Sequence, residues 1–132
     1  MSQRIAVQRF SDRRFSEYFE RSDKPFVLLF ESRYDANAGK MILALQSVLE
    51  RYGSEITGGI CMVEDSPKLS WRFDIRGVPT VIAGQGDTVL GESLGLQTEE
   101  NLNLLIDKWL SEVEDEDSFI EKKQSIEKEV TT

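Results

Sequence analysis

The chain has 132 residues, of which 39% are apolar, and carries a formal net charge of −8. This length suits one compact domain with a hydrophobic core, and no apolar stretch reaches the ~18 residues that a membrane-spanning helix needs. The acidic balance, without a basic stripe, argues against nucleic acid as a partner.

The scarcity of histidine and cysteine narrows the possible chemistry. The sequence contains no histidine, which removes the usual general base and the commonest zinc ligand. It contains one cysteine, so an intrachain disulfide, a two-cysteine redox centre and a four-cysteine metal site are excluded. We therefore expect no metal and no cofactor. The first 15 residues lack the apolar region of a signal peptide, so we expect a cytoplasmic protein with no membrane partner.

The first half of the sequence alternates strand and helix patterns. Residues 4–10 alternate as a short strand does, and a helix is predicted over residues 12–21. The near-continuous apolar run over residues 24–32 is typical of a strand that is covered on both faces. Apolar residues at helical spacing over residues 40–52 predict the second helix, which Gly53 ends.

The second half adds a strand, a short helix, a hairpin and a final helix. Residues 55–64 predict the third strand, and the serine–proline pair at 66–67 begins a short helix. Residues 80–83 and 88–94 flank the turn G-Q-G-D and predict a hairpin, after which Thr98 caps the last helix. The predicted order is βαβαβαββα, which is an α/β fold.

The C-terminal segment differs in composition from the rest. Residues 112–132 carry a net charge of −5, more than half of the total for the chain. Their apolar residues form a stripe too thin for an independently stable helix. We predict a domain over residues 1–111 followed by a flexible acidic tail, with docking of the tail onto the domain as the alternative.

The proline before the hairpin is the most informative single residue. Pro79 stands where a central ladder would need a donor, which favours a cis Val78–Pro79 bond at a tight corner. The stretch S-P-K-L-S-W-R-F-D-I-R-G-V-P-T resembles the thioredoxin segment that leads to I-R-G-[IV]-P-T, and K-P-F-V-L-L-F resembles the central strand of that family. The resemblance spans roughly residues 5–110. It implies a thioredoxin-like α/β/α fold with a mixed central sheet and a cis-proline before the fourth strand.

The chain departs from redox thioredoxins at the active site. Those proteins carry W-C-G-P-C between strand and helix, whereas residues 30–41 read F-E-S-R-Y-D-A-N-A-G-K-M. The tryptophan position appears as Tyr34, and the cysteine positions fall within residues 35–39, which contain no thiol. The buried acid of the family falls at Leu29 and its partner lysine at Ile60. The comparison therefore implies that the chain is not an oxidoreductase.

Three further residue types have competing interpretations. Cys61 is expected to pack inside an interior strand, and the alternative is a reactive thiol. Asp35 and Asn37 are interpreted as helix caps, and the alternative is an anion site together with Arg33. Trp71 is expected in the core, and the alternative is a contact residue.

The resemblance also implies a binding groove. In thioredoxin-like proteins the cis-proline loop and the loop before the second helix receive an extended polypeptide, which pairs with the backbone of the residue before the proline. The matching positions here are Tyr34, Asp35, Gly77, Val78, Pro79, Leu94, Gly95 and Leu96. We predict a non-catalytic module that binds another protein or peptide, as an assembly factor, chaperone or accessory subunit, with its oligomeric state open. The alternative is a redox sensor or one-cysteine thiol protein acting through Cys61.

Overall fold

The computed structural model describes residues 8–9, 11–15 and 23–112. The beginning of the predicted first strand, the end of the predicted first helix and the predicted tail from residue 113 onward lie outside these residues. Residue 112, which was assigned to the tail, is helical.

Strands and helices alternate along the described chain up to β4, which β5 follows directly. They are β1 (Gln8–Arg9), α1 (Asp12–Phe15), β2 (Phe26–Glu31), α2 (Ala38–Glu50), β3 (Thr57–Met62), α3 (Pro67–Arg72), β4 (Thr80–Gln85) and β5 (Thr88–Leu94). A last helix, here called α4, runs from residue 99 to the end of the described chain at residue 112. A short 3-10 turn, Gly53–Glu55, connects α2 to β3, and Gly53 adopts the left-handed conformation that glycine tolerates.

The five strands form one mixed sheet in the order β1-β3-β2-β4-β5. β3 is parallel to both β1 and β2, whereas β4 is antiparallel to both β2 and β5. All six residues of β2 are buried, which confirms the prediction that this apolar run is covered on both faces. The described part of the chain is therefore an α/β structure built around β2.

Two hydrophobic clusters lie on opposite faces of the sheet because alternate residues of β2 and β4 point in opposite directions. On one face α2 and α4 pack against β2 and β4, and this cluster includes Met41, Leu45, Leu102, Ile106, Trp109, Val27, Leu29, Val81 and Ala83. On the other face α1 and α3 contribute Phe15 and Leu69, which pack with Phe26, Leu28, Phe30, Cys61 and Ile82. The result is three layers, with helices above and below the sheet.

Helix capping differs from the prediction at α3 and agrees with it at α4. Ser66 occupies the N-cap position of α3, but its side chain makes no capping hydrogen bond. Asp12 of α1 performs this role, because its carboxylate accepts the backbone N–H groups of Lys68 at 3.1 Å and Leu69 at 2.8 Å. At α4, Thr98 Oγ1 accepts the N–H of Asn101 at 3.1 Å, as expected for an N-cap threonine.

Gly91 of β5 provides a test of the packing between the sheet and α4. A Cβ atom added at Gly91 would overlap the indole of Trp109, which is only 6% exposed. We expect Gly91→Ala to lower the free energy of unfolding by about 1–3 kcal/mol, since a packed core resists added volume. Urea unfolding followed by tryptophan fluorescence measures this change.

Gly39→Ala is the matched control, because a Cβ atom at Gly39 in the first turn of α2 meets nothing within 4 Å. We expect this variant to be as stable as the original chain or more stable by up to about 1 kcal/mol, since alanine restricts the unfolded chain. Equal stability of the two variants would contradict the close approach of β5 to α4.

Candidate functional site

The loop between α3 and β4 contains a cis peptide bond between Val78 and Pro79. Two hydrogen bonds hold the residues beside this bond. The Thr80 hydroxyl donates to the carbonyl oxygen of Gly77 at 2.7 Å, and the N–H of Gly95 donates to the carbonyl oxygen of Pro79 at 2.8 Å. The second bond ties the loop to the end of β5, so Gly77, Val78 and Pro79 lie beside Gly95.

Between the two held carbonyls, the backbone of Val78 is left without a partner. Within the described chain neither its N–H nor its C=O takes part in a hydrogen bond. Val78 is half-buried, whereas Pro79 is buried. Of the two residues joined by the cis bond, Val78 is therefore the more exposed.

Two leucines border the loop on the β5 side. Leu94 is 59% exposed, and its Cδ1 atom lies 3.2 Å from the position that a Cβ atom on Gly77 would occupy. Leu96 is 55% exposed and follows Gly95, whose φ of 108° suits glycine. Six of the eight predicted groove positions therefore come together at this end of β4 and β5.

The other two predicted positions, Tyr34 and Asp35, lie in the connection between β2 and α2. Phe30 pairs with Thr80 in the antiparallel β2–β4 ladder. The C-terminal end of β2 and the N-terminal end of β4 therefore lie side by side at the same end of the sheet. Tyr34 is 82% exposed. This connection, residues 32–37, is here called the β2–α2 loop.

Three backbone N–H groups of the β2–α2 loop donate to acceptors within the same loop. The N–H of Tyr34 donates to Ser32 Oγ at 3.1 Å, and the N–H of Asp35 donates to the Ser32 carbonyl oxygen at 3.1 Å. Asp35 Oδ1 in turn accepts the N–H of Asn37 at 3.0 Å. Asn37 occupies the N-cap position of α2 without a side-chain capping bond, so only Asp35 satisfies a backbone donor as predicted.

Arg33 is engaged by acidic side chains, which weakens the alternative of an anion site. One guanidinium nitrogen lies 2.7 and 2.6 Å from the two carboxylate oxygens of Asp65. Glu64 Oε1 accepts the backbone N–H of Arg33 at 2.8 Å, and this hydrogen bond lowers the pKa of the Glu64 carboxyl. The arginine therefore anchors the β2–α2 loop to the start of the β3–α3 connection.

Sequence reasoning missed Glu31, the last residue of β2. Its side chain is completely buried, and Oε1 accepts the N–H of Ser32 at 3.0 Å. Oε2 has no hydrogen-bond donor among the described residues. Burial raises the pKa of this carboxyl from 4.5 to about 7; the Ser32 bond lowers it in part, whereas Asp35 and Glu64 raise it. A glutamate that ends an otherwise apolar strand was the available sequence signal.

Glu31 also changes the interpretation of the apolar positions. Leu29 and Ile60 are buried, as expected where the resemblance places the acid and lysine of redox thioredoxins. Glu31 lies two residues beyond Leu29, so both side chains point to the same face of the sheet. A buried carboxyl is therefore present beneath the β2–α2 loop, displaced by two residues from the position expected from the resemblance.

Cys61 and Trp71 lie in opposite environments. Cys61 is completely buried in β3, and burial, with a smaller contribution from Asp12, raises the pKa of its thiol to about 12. The expectation that Cys61 packs inside an interior strand is confirmed. The expectation that Trp71 belongs to the core is wrong: α3 buries Leu69 and leaves Trp71 86% exposed.

No group of three or more acidic or cysteine side chains in the described ranges is arranged to hold a metal ion. None of the helices in these ranges combines the length and apolar character that crossing a membrane requires.

Comparison with known proteins agrees with this architecture. No protein-family model matches the chain. The chain is 24% identical over 97 residues to a thioredoxin from Alicyclobacillus acidocaldarius subsp. acidocaldarius, and the match covers 74% of this chain and 91% of that protein. In its sequence, and with a mixed sheet between two helical layers, the chain is similar to thioredoxins.

Proposed function

We propose that this chain is a redox-inactive, thioredoxin-like module that holds an extended segment of another protein against the loop between α3 and β4. This loop, residues 73–79, is here called the Val78 loop. The observation that carries the proposal is that the N–H and C=O of Val78 make no hydrogen bond with the described residues, although both neighbours do, just before β4 begins. A peptide strand can satisfy both groups at once, as in other cases where an extended segment adds to a sheet.

Exposed apolar side chains around Val78 support the same proposal. Leu94 and Leu96 border the loop on one side, and Tyr34 projects from the β2–α2 loop at the same edge of the sheet. Alternate side chains of an extended segment would contact these residues while its backbone pairs with Val78. Backbone pairing supplies affinity, and the apolar contacts select the partner.

The positions that would carry sulfur chemistry support a binding role without disulfide exchange. Residues 35–39 contain no thiol, and the lone Cys61 is completely buried. A thiolate is the species that attacks disulfides, and burial suppresses its formation at Cys61. We therefore propose a role as an assembly factor, chaperone or accessory subunit, in preference to a redox sensor acting through Cys61.

Peptide binding tests the groove directly. Short linear peptides displayed on phage are selected against the full chain, and one selected peptide is titrated into 15N-labelled protein. We expect amide shift changes at residues 77–78 and 94–96. We expect Val78→Asp and Leu96→Asp each to weaken binding by at least about tenfold, because a charge placed in the groove must be desolvated when the peptide covers it.

Leu104→Asp is the matched control, since Leu104 is 62% exposed on α4 and lies outside the groove residues. This variant is expected to bind the peptide as the original chain does. Circular dichroism of all three variants establishes that they are folded. Shift changes confined to other surfaces, or equal weakening by Leu104→Asp, would contradict the proposed groove.

Thiol reactivity tests the alternative that involves Cys61. We expect Ellman's reagent to react slowly with the folded chain and rapidly after unfolding in guanidinium chloride, because the buried thiol has its pKa raised to about 12. The Cys61→Ala variant gives the background rate. Rapid reaction of the native chain with one equivalent of reagent would favour the redox sensor over the binding module.

A further inference from the structure

The buried carboxyl of Glu31 lies at the end of β2, where the β2–α2 loop with the exposed Tyr34 begins. Two hydrogen bonds fasten the start of this loop to carboxylates: Ser32 N–H to Glu31 at 3.0 Å and Arg33 N–H to Glu64 at 2.8 Å. The middle of the loop bends back on Ser32 through the N–H groups of Tyr34 and Asp35. Because the Ser32 N–H is bonded to the Glu31 carboxyl, the position of Tyr34 depends on Glu31.

The charges around Glu31 make its ionised form unfavourable. Asp35 from the β2–α2 loop and Glu64 from the β3–α3 connection act on it, and both are acidic. Arg33, the cation of the loop, is engaged by Glu64 and Asp65. The neighbouring elements add little positive charge that could stabilise an ionised Glu31. β4 contributes the uncharged Thr80, and Lys40 of α2 lies in an exposed first turn.

The two protonation states of Glu31 differ in how well its second oxygen is satisfied. Oε2 has no donor among the described residues, so an ionised Glu31 leaves a buried negative oxygen unpaired. A protonated Glu31 carries a hydrogen that can be donated to the neighbouring Asp35 carboxylate. The Ser32 N–H bond favours the ionised carboxyl, whereas the Asp35 carboxylate favours the protonated one. Protonation therefore joins the end of β2 to the middle of the loop at Asp35, and ionisation replaces that bond with repulsion.

We propose that Glu31 is a proton-operated latch on the β2–α2 loop: it holds the loop against β2 when protonated and releases the loop when ionised, so that the groove binds its segment more weakly as pH rises. This regulation rests on the proposed function of the groove, whereas the latch itself does not. The pKa of about 7 places the change near neutral pH. Glu31 is thus a positioning residue for Tyr34 and not a contact of the bound segment.

Titration of the free protein tests the latch without any peptide. In 13C,15N-labelled chain we expect the side-chain carboxyl resonance of Glu31 to titrate near pH 7, with the amide resonances of Tyr34 and Asp35 moving at the same midpoint. In Glu31→Gln the loop amides should lose this transition, because the Gln amide donates to Asp35 at every pH. A Glu31 midpoint below about 5, close to its ordinary pKa, would overturn the proposal.

Unfolding free energy gives a second, independent readout. Between pH 4.5 and about 7 the folded chain keeps a proton that the unfolded chain has released, so stability must fall as pH rises through this window. We expect a shallower decline in Glu31→Gln and an unchanged decline in Glu100→Gln, a control on the exposed surface of α4. An equal pH dependence in Glu31→Gln and the original chain would overturn the latch.

Peptide affinity then connects the latch to the groove. With the selected peptide as probe, we expect binding to the original chain to weaken by about tenfold between about pH 6 and about pH 8, while Glu31→Gln binds with nearly constant affinity. Affinity that does not change with pH, together with the loop transition, would overturn the regulatory part. Failure of every peptide to bind at any pH would count against the groove, and the two peptide-free measurements would still decide the latch.

Discussion

The arrangement of this protein depends on the pairing of β2 between β3 and β4. β2 is buried on both faces, is parallel to β3 on one side and is antiparallel to β4 on the other. In an antiparallel pair the end of one strand lies beside the start of the other. The residues that follow β2 therefore lie beside the residues that precede β4. The β2–α2 loop and the Val78 loop thus share one edge of the sheet, and any site at this edge inherits its geometry from that single pairing.

The proposed groove needs no sulfur, because disulfide exchange and the binding of a segment would depend on different groups. The reactive part of a redox site needs an exposed thiolate, and the only thiol in this chain is buried in β3. The binding part needs an unbonded backbone pair and apolar side chains nearby, and these come from Val78, Leu94 and Leu96. Loss of the first part leaves the second intact, since the Gly77 and Pro79 carbonyls are held by Thr80 and Gly95.

Three acidic side chains at this end of the sheet contact the β2–α2 loop. Glu31 and Glu64 accept backbone N–H groups of the β2–α2 loop, and the single positive charge of Arg33 is shared between Glu64 and Asp65. The inner carboxyl of Glu31 has no such partner and is withdrawn from water, so its charged form is the unfavourable one. A binding surface built on such a loop can respond to pH even though the chain contains no histidine.

Local patterns in the sequence were sufficient for β2, α2 and the start of α4. The apolar run of β2, the helical spacing of α2 and the threonine cap of α4 depend on neighbouring residues, so they can be read along the chain. The environment of a side chain depends on residues that are distant in sequence and was decided only by the tertiary structure. Asp12 caps a helix 56 residues away, and the pKa of Glu31 is raised first by burial and then by Asp35 and Glu64. Trp71 is exposed because it follows the buried Leu69 by two residues and so lies on the opposite side of α3.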